Sequence, residues 1–369
     1  MNRGTLVPFT RVSRTIAAIF ALVFMVQTNA SAMVINITYD SSITSLGNAA
    51  QVEGAISNAA NVFDVLYTNN IVVNITAFFD STIDLGQSTT LETGNPTYSE
   101  VTNFLRAART TAADSNSVAS LPAIDPTGGS ALWWLPRAEA KALGGVLGVT
   151  TNSSSPDGSV YFASTVTYSL NPTNRGVTGQ YDLTAVAEHE ISEVLGRGFG
   201  LNYQGSGFIP YDLFRFTNNG AHNFSVSATN VYFSVNNGAS NLANFFGDVI
   251  SGDIQDWATH TPADSFDAFL TDGQEGYLSY ADLTALDILG YALNFHAPKL
   301  TAIRNASGKI QLNFTNVTGL DFSILSSTNI ALPLTNWPVL GRPIETSVGN
   351  YQFTDSNTNK TRFYRAVLN

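Results

Sequence analysis

The chain has 369 residues, of which 44% are hydrophobic, 11% aromatic and only 12% charged, and its net charge at pH 7 is −11. This length and apolar content suffice for two folded domains and exclude a disordered chain. The acidic balance excludes a general nucleic-acid binder, and the absence of cysteine excludes disulfides, thiolate metal sites and a cysteine nucleophile.

Residues 1–32 have the three parts of a secretory signal peptide. Three arginines precede an apolar run over residues 16–26, which is too short to span a bilayer, and residues 30–32 form an A-x-A cleavage site. A buried N-terminal helix is the competing interpretation. No later stretch is apolar enough to anchor the chain in a membrane, so we expect a Sec-exported protein that is extracellular or periplasmic after cleavage near Ala32.

Apolar periodicity predicts a mixed α+β domain over residues 33–295. A strand, a helix and a second strand at its start suggest a parallel pair with a right-handed crossover. The predicted elements are strands at 33–39 and 71–78, helices at 51–67, 99–113 and 138–145, edge strands at 159–164 and 167–170, a helix at 184–196, strands at 211–216 and 231–235, and a helix at 279–290.

The chain after Pro298 has a different pattern. Four short alternating runs, at residues 309–314, 322–326, 351–354 and 363–367, are separated by Asn, Gly and Pro. This spacing predicts a small all-β sandwich domain over residues 298–369. We expect this accessory domain to attach the protein to a cell surface or matrix.

The motif that carries chemistry lies in the helix at 184–196. His189 and Glu193 are four residues apart and project from one helical face, while Glu190 lies about 100° around the axis from His189. Two ligands at this spacing, with a carboxylate beside the first, are typical of a metal-dependent hydrolase helix. An ordinary amphipathic helix with a partly exposed His is the competing interpretation of the same residues.

A catalytic zinc site needs a third protein ligand and an open position. The residue three positions after Gly196 is Phe199, which cannot bind a metal. Asp212, on a following predicted strand, is our candidate for the third ligand, and His222 is its rival. A salt bridge between Asp212 and Arg215 is the alternative explanation for that carboxylate. We expect Zn²⁺ here, although another divalent metal would suit the same donors.

Residues 189–197, with the sequence HEISEVLGR, resemble the helix of a family of secreted bacterial zincin-like metalloproteases related to the matrixins. Further stretches resemble the same family, namely residues 37–42, 121–129, 211–216, 241–245, 252–257 and 281–291. The resemblance covers residues 33–293 and implies a zincin-like metalloprotease domain. The chain departs from the metzincin pattern at Phe199 and also lacks a Met-turn.

The sequence therefore predicts a secreted, monomeric, zinc-dependent endopeptidase that acts on proteins or peptides. His189, Glu193 and Asp212 would bind the metal, and Glu190 would be the general base. The alternative from another class is a catalytically inactive zincin scaffold that binds a surface or matrix. A glycosidase is disfavoured, because Glu190 and Glu193 lie on one helix and cannot readily flank a glycosidic bond.

The signal-peptide pattern generates a direct prediction. Cleavage after Ala32 gives a mature protein that begins at Met33. N-terminal sequencing of the exported protein should show this start, and exported material that retains Met1 would contradict the prediction.

Overall fold

The computed structural model describes residues 32–129, 131–198, 200–202, 207–248, 250–357 and 361–369. Helices and several sheets mix along these residues, as predicted for an α+β protein. Residues 1–31 of the predicted signal peptide, and Phe199, lie outside the described residues. No described helix combines the length and the apolar character that crossing a membrane requires.

The described residues contain seven α-helices and four short 3₁₀ turns, the latter at Val146–Gly148, Gly200–Asn202, Pro210–Phe214 and Leu334–Asn336. The helices are α1 (Ser41–Thr44), α2 (Ala49–Leu66), α3 (Tyr98–Ala108), α4 (Ala112–Ala119), α5 (Arg137–Ala142), α6 (Leu183–Val194) and α7 (Tyr280–Asp287).

The strands of the first part of the chain are β1 (Val34–Tyr39), β2 (Val72–Asp80), β3 (Gly86–Thr90), β4 (Glu92–Thr93), β5 (Leu135–Pro136), β6 (Gly158–Ala163), β7 (Tyr168–Ser169), β8 (Tyr181–Asp182), β9 (Arg215–Asn218), β10 (Ala221–His222), β11 (Tyr232–Phe233) and β12 (Ala243–Asn244). The C-terminal strands are β13 (Thr301–Arg304), β14 (Ile310–Thr315), β15 (Phe322–Ser327), β16 (Val339–Gly341), β17 (Ile344–Ser347), β18 (Asn350–Asp355) and β19 (Phe363–Leu368).

The first sheet has the strand order β1-β2-β6-β3. β1 pairs with β2 and β2 with β6 in parallel, which confirms the predicted parallel pair around α2. β3 runs antiparallel to β6 and forms the sheet edge. The prediction that residues 159–164 form an edge strand is therefore wrong, because the polar strand β3 pairs with the outer side of β6.

Helix α6 packs closely against this sheet because small residues face it. A Cβ atom at Gly158 in β6 would lie 2.7 Å from Cγ1 of Val194, so only glycine allows this approach. The other side of α6 meets α2, where the Thr184 hydroxyl donates to the carbonyl of Ala55 at 3.5 Å. The helix is thereby held between the sheet and α2, with its C-terminal half under β3.

The helix predicted at 99–113 is two helices, and that prediction is wrong at Arg109–Thr111. Thr111 starts a new helix, since its hydroxyl accepts the N–H of Asp114 at 3.1 Å. The Asp114 carboxylate in turn accepts the N–H groups of Thr110 and Thr111. This reciprocal capping box stabilises a new helix that begins after Thr111 over one continuous helix through this position.

The C-terminal residues form a four-stranded sheet in the order β13-β14-β18-β17 and a three-stranded sheet in the order β16-β15-β19. All their pairings are antiparallel. Phe322 of the second sheet meets Phe314 and Tyr351 of the first, with ring centroids 5.2 and 5.1 Å apart. The two sheets thus contact each other through aromatic side chains, at the strands that the sequence predicts.

These sheets share one hydrophobic core with the rest of the described chain. The Leu278 N–H donates to the Gly319 carbonyl, and the Asp321 N–H donates to the Leu278 carbonyl, both at 2.9 Å. Leu278 and Leu320 are both buried, at 0% and 1% exposure. The strand-like pairing before α7 therefore ties the C-terminal sheets to the helix-containing part.

Substitution of Leu320 tests this connection. Leu320→Ala should lower the free energy of unfolding by about 2–5 kcal/mol, because it leaves a cavity at the shared core. Thermal and denaturant unfolding should show one transition at reduced stability. Ile344→Ala is the control, because that side chain is 66% exposed and should have little effect. Two separate transitions, of which only one moves, would show that the two regions fold independently.

Candidate metal centre

Helix α6 presents the predicted motif from a capped and buried segment. Oδ1 of Asp182 accepts the N–H groups of Thr184 and Ala185 at 3.1 and 3.3 Å, which confirms the predicted N-cap. Every residue of α6 is buried except His189, whose side chain is 15% exposed. His189 is therefore the residue through which the helix reaches open space.

A carboxylate from a distant loop completes a group of three donors. Nε2 of His189 lies 3.6 Å from Oε1 of Glu193 and 3.4 Å from Oδ1 of Asp256. One donor atom from each of the three residues lies within 4.8 Å of the others. The backbone of Asp256 is held by its own N–H, which donates to Asp253, and by its carbonyl, which accepts from Phe246. The three side chains thus converge on one point from two elements.

The imidazole of His189 is oriented by a backbone carbonyl. Nδ1 lies 2.9 Å from the carbonyl oxygen of Ser265, and this contact assigns the N–H to Nδ1. Ser265 is itself fixed, because its hydroxyl donates to the buried carboxyl of Glu188 at 2.7 Å. Nε2 then faces Glu193 and Asp256, and a backbone carbonyl orients histidine ligands in metal sites in the same way.

Arg197, which follows the helix, links the two carboxylates. Nη1 donates to Oδ1 of Asp256 at 2.7 Å, and Nη2 lies 3.6 Å from Oε1 of Glu193. Nε donates to the hydroxyl of Ser192, and the guanidinium lies over Phe266 at 4.4 Å from the ring centroid. The Arg197 side chain is fully buried. A buried cation of this kind stays charged only because it is paired with the two carboxylates.

The charges of the cluster shift the pKa values of its members. Burial alone would lower the pKa of His189, but Asp256 and Glu193 together more than offset burial, and the pKa lies well above its ordinary value. Burial would raise the pKa of Glu193, yet His189, followed by Arg197, lowers that pKa to about 2. Burial and the charge of Glu193 raise the pKa of Glu190 well above its usual range. A protonated imidazole and the guanidinium can thus balance the two carboxylates.

Glu190 lies directly under β3, where a glycine leaves room for it. A Cβ atom at Gly86 would lie 2.3 Å from Oε1 of Glu190 and 2.8 Å from Cγ1 of Val186. Glu190 is 5% exposed, and its buried Oε2 has no hydrogen-bond partner among the described residues. Because buried polar atoms are normally paired, this oxygen is available to a water molecule or a ligand.

Strand β3 also fixes the carboxylate of Glu193. The hydroxyl of Ser88 donates to Oε2 of Glu193 at 2.7 Å, and the hydroxyl of Thr90 donates to its backbone carbonyl at 3.0 Å. Nε2 of Gln255 donates to Oε1 at 3.1 Å. Glu193 is thus held from β3 and from the loop that carries Asp256.

A cleft of about 690 Å³ opens above these residues. His189, Glu190 and Glu193 lie among its lining residues, with β3 on one side and residues 251–256 and 264–270 on the other. This volume is in the range of sites that hold a small ligand or a few residues of a peptide. The three donors and Glu190 therefore share one accessible space.

The structure does not bring Asp212 into this group. The sequence predicts it as the third ligand, but Asp256 lies in that position. Oδ2 of Asp212 instead accepts the N–H groups of Gly200 and Ile209 at 3.1 and 2.9 Å. Burial raises its pKa to about 7. Asp212 thus holds the backbone turn that begins at Ile209.

The rival histidine is also engaged elsewhere. Nδ1 and Nε2 of His222 lie 2.9 and 3.1 Å from the carbonyl oxygens of Leu213 and Ser120. Its ring packs on Phe216 at a centroid distance of 4.2 Å. Neither ring nitrogen of His222 points to the group formed by His189, Glu193 and Asp256.

Sequence reasoning misses Asp256 and Arg197 as members of the site. Residues 252–257 stand among the stretches that resemble the protease family, but no ligand is assigned to them. Two aspartates three positions apart, directly before Trp257, are the signal that points to this segment. Arg197 is the last residue of the HEISEVLGR stretch, and its position four residues after Glu193 is a second signal.

Comparisons with family models, with characterised proteins and with solved structures found no match to this chain. The resemblance to zincin-like metalloproteases stays a prediction. Any function proposed for the chain therefore rests on the geometry of His189, Glu190, Glu193 and Asp256.

The donor set suits a divalent cation. One imidazole nitrogen and two carboxylate oxygens are ligands that zinc accepts, and harder cations accept the oxygens. Arg197 contacts the same two carboxylate oxygens, but each oxygen has two lone pairs and can serve a guanidinium and a cation together. The unpartnered oxygen of Glu190 beside the group fits a water molecule in the remaining position.

Gly86 generates a test of how the site is built. Gly86→Ala should lower the free energy of unfolding by about 1–3 kcal/mol, because the new methyl group overlaps Glu190 and Val186. The matched control is Gly54→Ala in α2, where a Cβ meets nothing within 4 Å. That change should raise stability by up to about 1 kcal/mol through helix propensity. Denaturant unfolding measures both, and an equal effect of the two substitutions would contradict the close packing of α6 under β3.

Proposed function

We propose that the protein is a metal-dependent endopeptidase that hydrolyses peptide bonds in the cleft above α6. The observation that carries the proposal is the convergence of His189, Glu193 and Asp256 within 4.8 Å, with Glu190 beside them on the cleft floor. Strand β3 lies at the edge of the first sheet, antiparallel to β6 and above helix α6. This arrangement supports a zincin-like fold for residues 33–295.

His189, Glu193 and Asp256 would hold the metal, for which zinc is the first candidate. When bound, a divalent cation supplies a Lewis acid that polarises a carbonyl group and makes water more acidic. The Ser265 carbonyl orients the imidazole so that Nε2 faces Glu193 and Asp256, and Ser88 keeps Glu193 in place. Contacts of this kind would orient both side chains for a metal.

Glu190 would move the proton in the reaction. Its carboxylate accepts a proton from water while the water oxygen bonds to the scissile carbonyl carbon. The same proton then passes to the peptide nitrogen as the carbon–nitrogen bond breaks, which gives a carboxylic acid and an amine. Burial and the charge of Glu193 raise the pKa of Glu190, which makes its carboxylate a stronger base toward water.

The sheet edge supports a polypeptide as the substrate. β3 is the last strand in its sheet and lines the cleft, so its outer edge offers backbone groups to an extended chain. An extended peptide that adds to such an edge gains backbone hydrogen bonds with any sequence. This arrangement would carry the scissile bond past Glu190, which lies directly under Gly86.

We also propose that the enzyme acts outside the cytoplasm, on the strength of the signal-peptide pattern in residues 1–32. The absence of cysteine fits such a protein only if its core is stable without disulfides. The single hydrophobic core, which extends from the first strand to the last, meets this condition.

The decisive experiment measures metal content and peptide cleavage in the same variants. Purified mature protein loaded with zinc should hold one ion per chain and cleave an unstructured protein such as casein. Asp256→Asn and His189→Ala should lose the ion and the activity together. Glu190→Gln should keep the ion and reduce cleavage by about 10²- to 10⁴-fold, the effect typical of removing a general base.

Asp212→Asn is the matched control for Asp256→Asn. Both residues are buried aspartates, but Asp212 contacts backbone N–H groups and should not affect the bound ion. Full zinc occupancy in Asp256→Asn, or loss of the ion only in Asp212→Asn, would contradict the proposed ligand set. A zinc-loaded protein that cleaves no polypeptide would contradict the proposed activity.

A second candidate function is a scaffold that has lost its metal and binds a surface or matrix. The position of Arg197 favours it, because the guanidinium already compensates the charges of Glu193 and Asp256. In that case the wild-type protein would take up no ion at any zinc concentration that leaves it folded. The zinc content of the wild-type protein therefore separates the two candidates.

A further inference from the structure

The cleft above the metal centre is acidic on both of its walls. None of the described residues that line it is Lys or Arg. Three of its acids are exposed at the rim. Asp84 precedes β3, Glu92 follows β3, and Asp253 stands on the opposite wall. We call these three residues the rim acids.

Two buried acids of the cleft are paired with a cation of the protein. Asp256 and Glu193 contact the guanidinium of Arg197 at 2.7 and 3.6 Å. The rim acids have no ion-pair partner among the described residues. Arg197 thus compensates the two carboxylates on the cleft floor, whereas no cation of the described residues compensates the rim acids.

The rim acids lie where an extended chain would pass. Asp84 and Glu92 flank the two ends of β3. An extended peptide advances about 3.3 Å per residue, as β3 itself does, so the two run in step along the edge. A peptide that follows this edge therefore meets one rim acid on each side of Glu190. The buried, unpartnered Oε2 of Glu190 on the floor independently indicates that this space receives a ligand.

We propose that the cleft selects extended polypeptides that carry Lys or Arg on both sides of the scissile bond, and that Asp84, Glu92 and Asp253 select them. Opposite charges across a cleft raise the rate of encounter and the affinity, and they disfavour acidic chains. The inference rests on the proposed function, because the cleft must first receive a polypeptide.

The experiment measures binding and cleavage separately. Two labelled peptides are compared, one with lysines on both sides of its centre and a counterpart with glutamines in those places. Binding is followed by fluorescence anisotropy with zinc-loaded Glu190→Gln protein, in which slow cleavage leaves the peptide intact during the measurement. The lysine peptide should bind about tenfold more tightly at low salt, since three exposed charge pairs each contribute modestly. The preference should shrink as salt is added.

The triple change Asp84→Asn, Glu92→Gln and Asp253→Asn, made in the same protein, should bring the affinity ratio of the two peptides close to one. The control is a second triple variant, Glu53→Gln, Asp80→Asn and Glu100→Gln, which removes the same charge away from the cleft. Asn and Gln keep an acceptor oxygen for the caps that Asp80 and Glu100 form. An equal loss of preference in both triple variants would overturn the proposal.

Equal binding of the two peptides, or binding of neither, would also overturn it. Cleavage by the wild-type protein distinguishes this failure from failure of the proposed function. If both peptides are cleaved with equal kcat/KM, the endopeptidase stands and the charge selection is wrong. If neither is cleaved but the lysine peptide binds with the expected preference, the cleft binds cationic polypeptides and the proposed catalysis is wrong.

Discussion

The guanidinium of Arg197 is the contact on which the arrangement of the site depends. It joins Asp256, from a loop, to Glu193, from α6, at the floor of the cleft, where both carboxylates are largely buried. Two buried carboxylates this close would repel each other strongly without a cation between them. The charge of Arg197 therefore allows the loop and the helix to meet, and His189 occupies the remaining side of the pair.

A second constraint is the close approach of α6 to the sheet. Gly158 allows Val194 to contact β6, and Gly86 allows Glu190 to lie under β3. These two glycines, on neighbouring strands, thus determine how close the helix lies to the sheet edge. Since Ser88 then reaches the carboxylate of Glu193, the same packing that buries the helix also orients a proposed ligand. Stability and the geometry of the site come from one set of contacts.

Local patterns predict α6, its Asp182 cap and the shared face of His189 and Glu193, because these depend on residues within one or two turns. The same local patterns do not predict β3, because its residues show no apolar alternation. Gly86 and Ser88 fit against the carboxyl groups of Glu190 and Glu193 rather than against an apolar surface.

The position of Asp256 could not be predicted, because its loop meets α6 only in the folded protein. Its neighbour Gln255 contacts Glu193 across 62 residues of the chain. The break at Thr111 was predictable, because Thr111 and Asp114 have the spacing of a capping box.

The pairing with Arg197 has a consequence for how a metal would bind. In the metal-free cluster a proton on His189 and the charge of Arg197 balance Glu193 and Asp256, so an incoming cation must displace the proton and share both carboxylate oxygens. Each requirement lowers affinity relative to a site of three neutral imidazoles. Such a centre would load an ion reversibly rather than retain it tightly, while Ser88 and Arg197 would keep Glu193 and Asp256 in place.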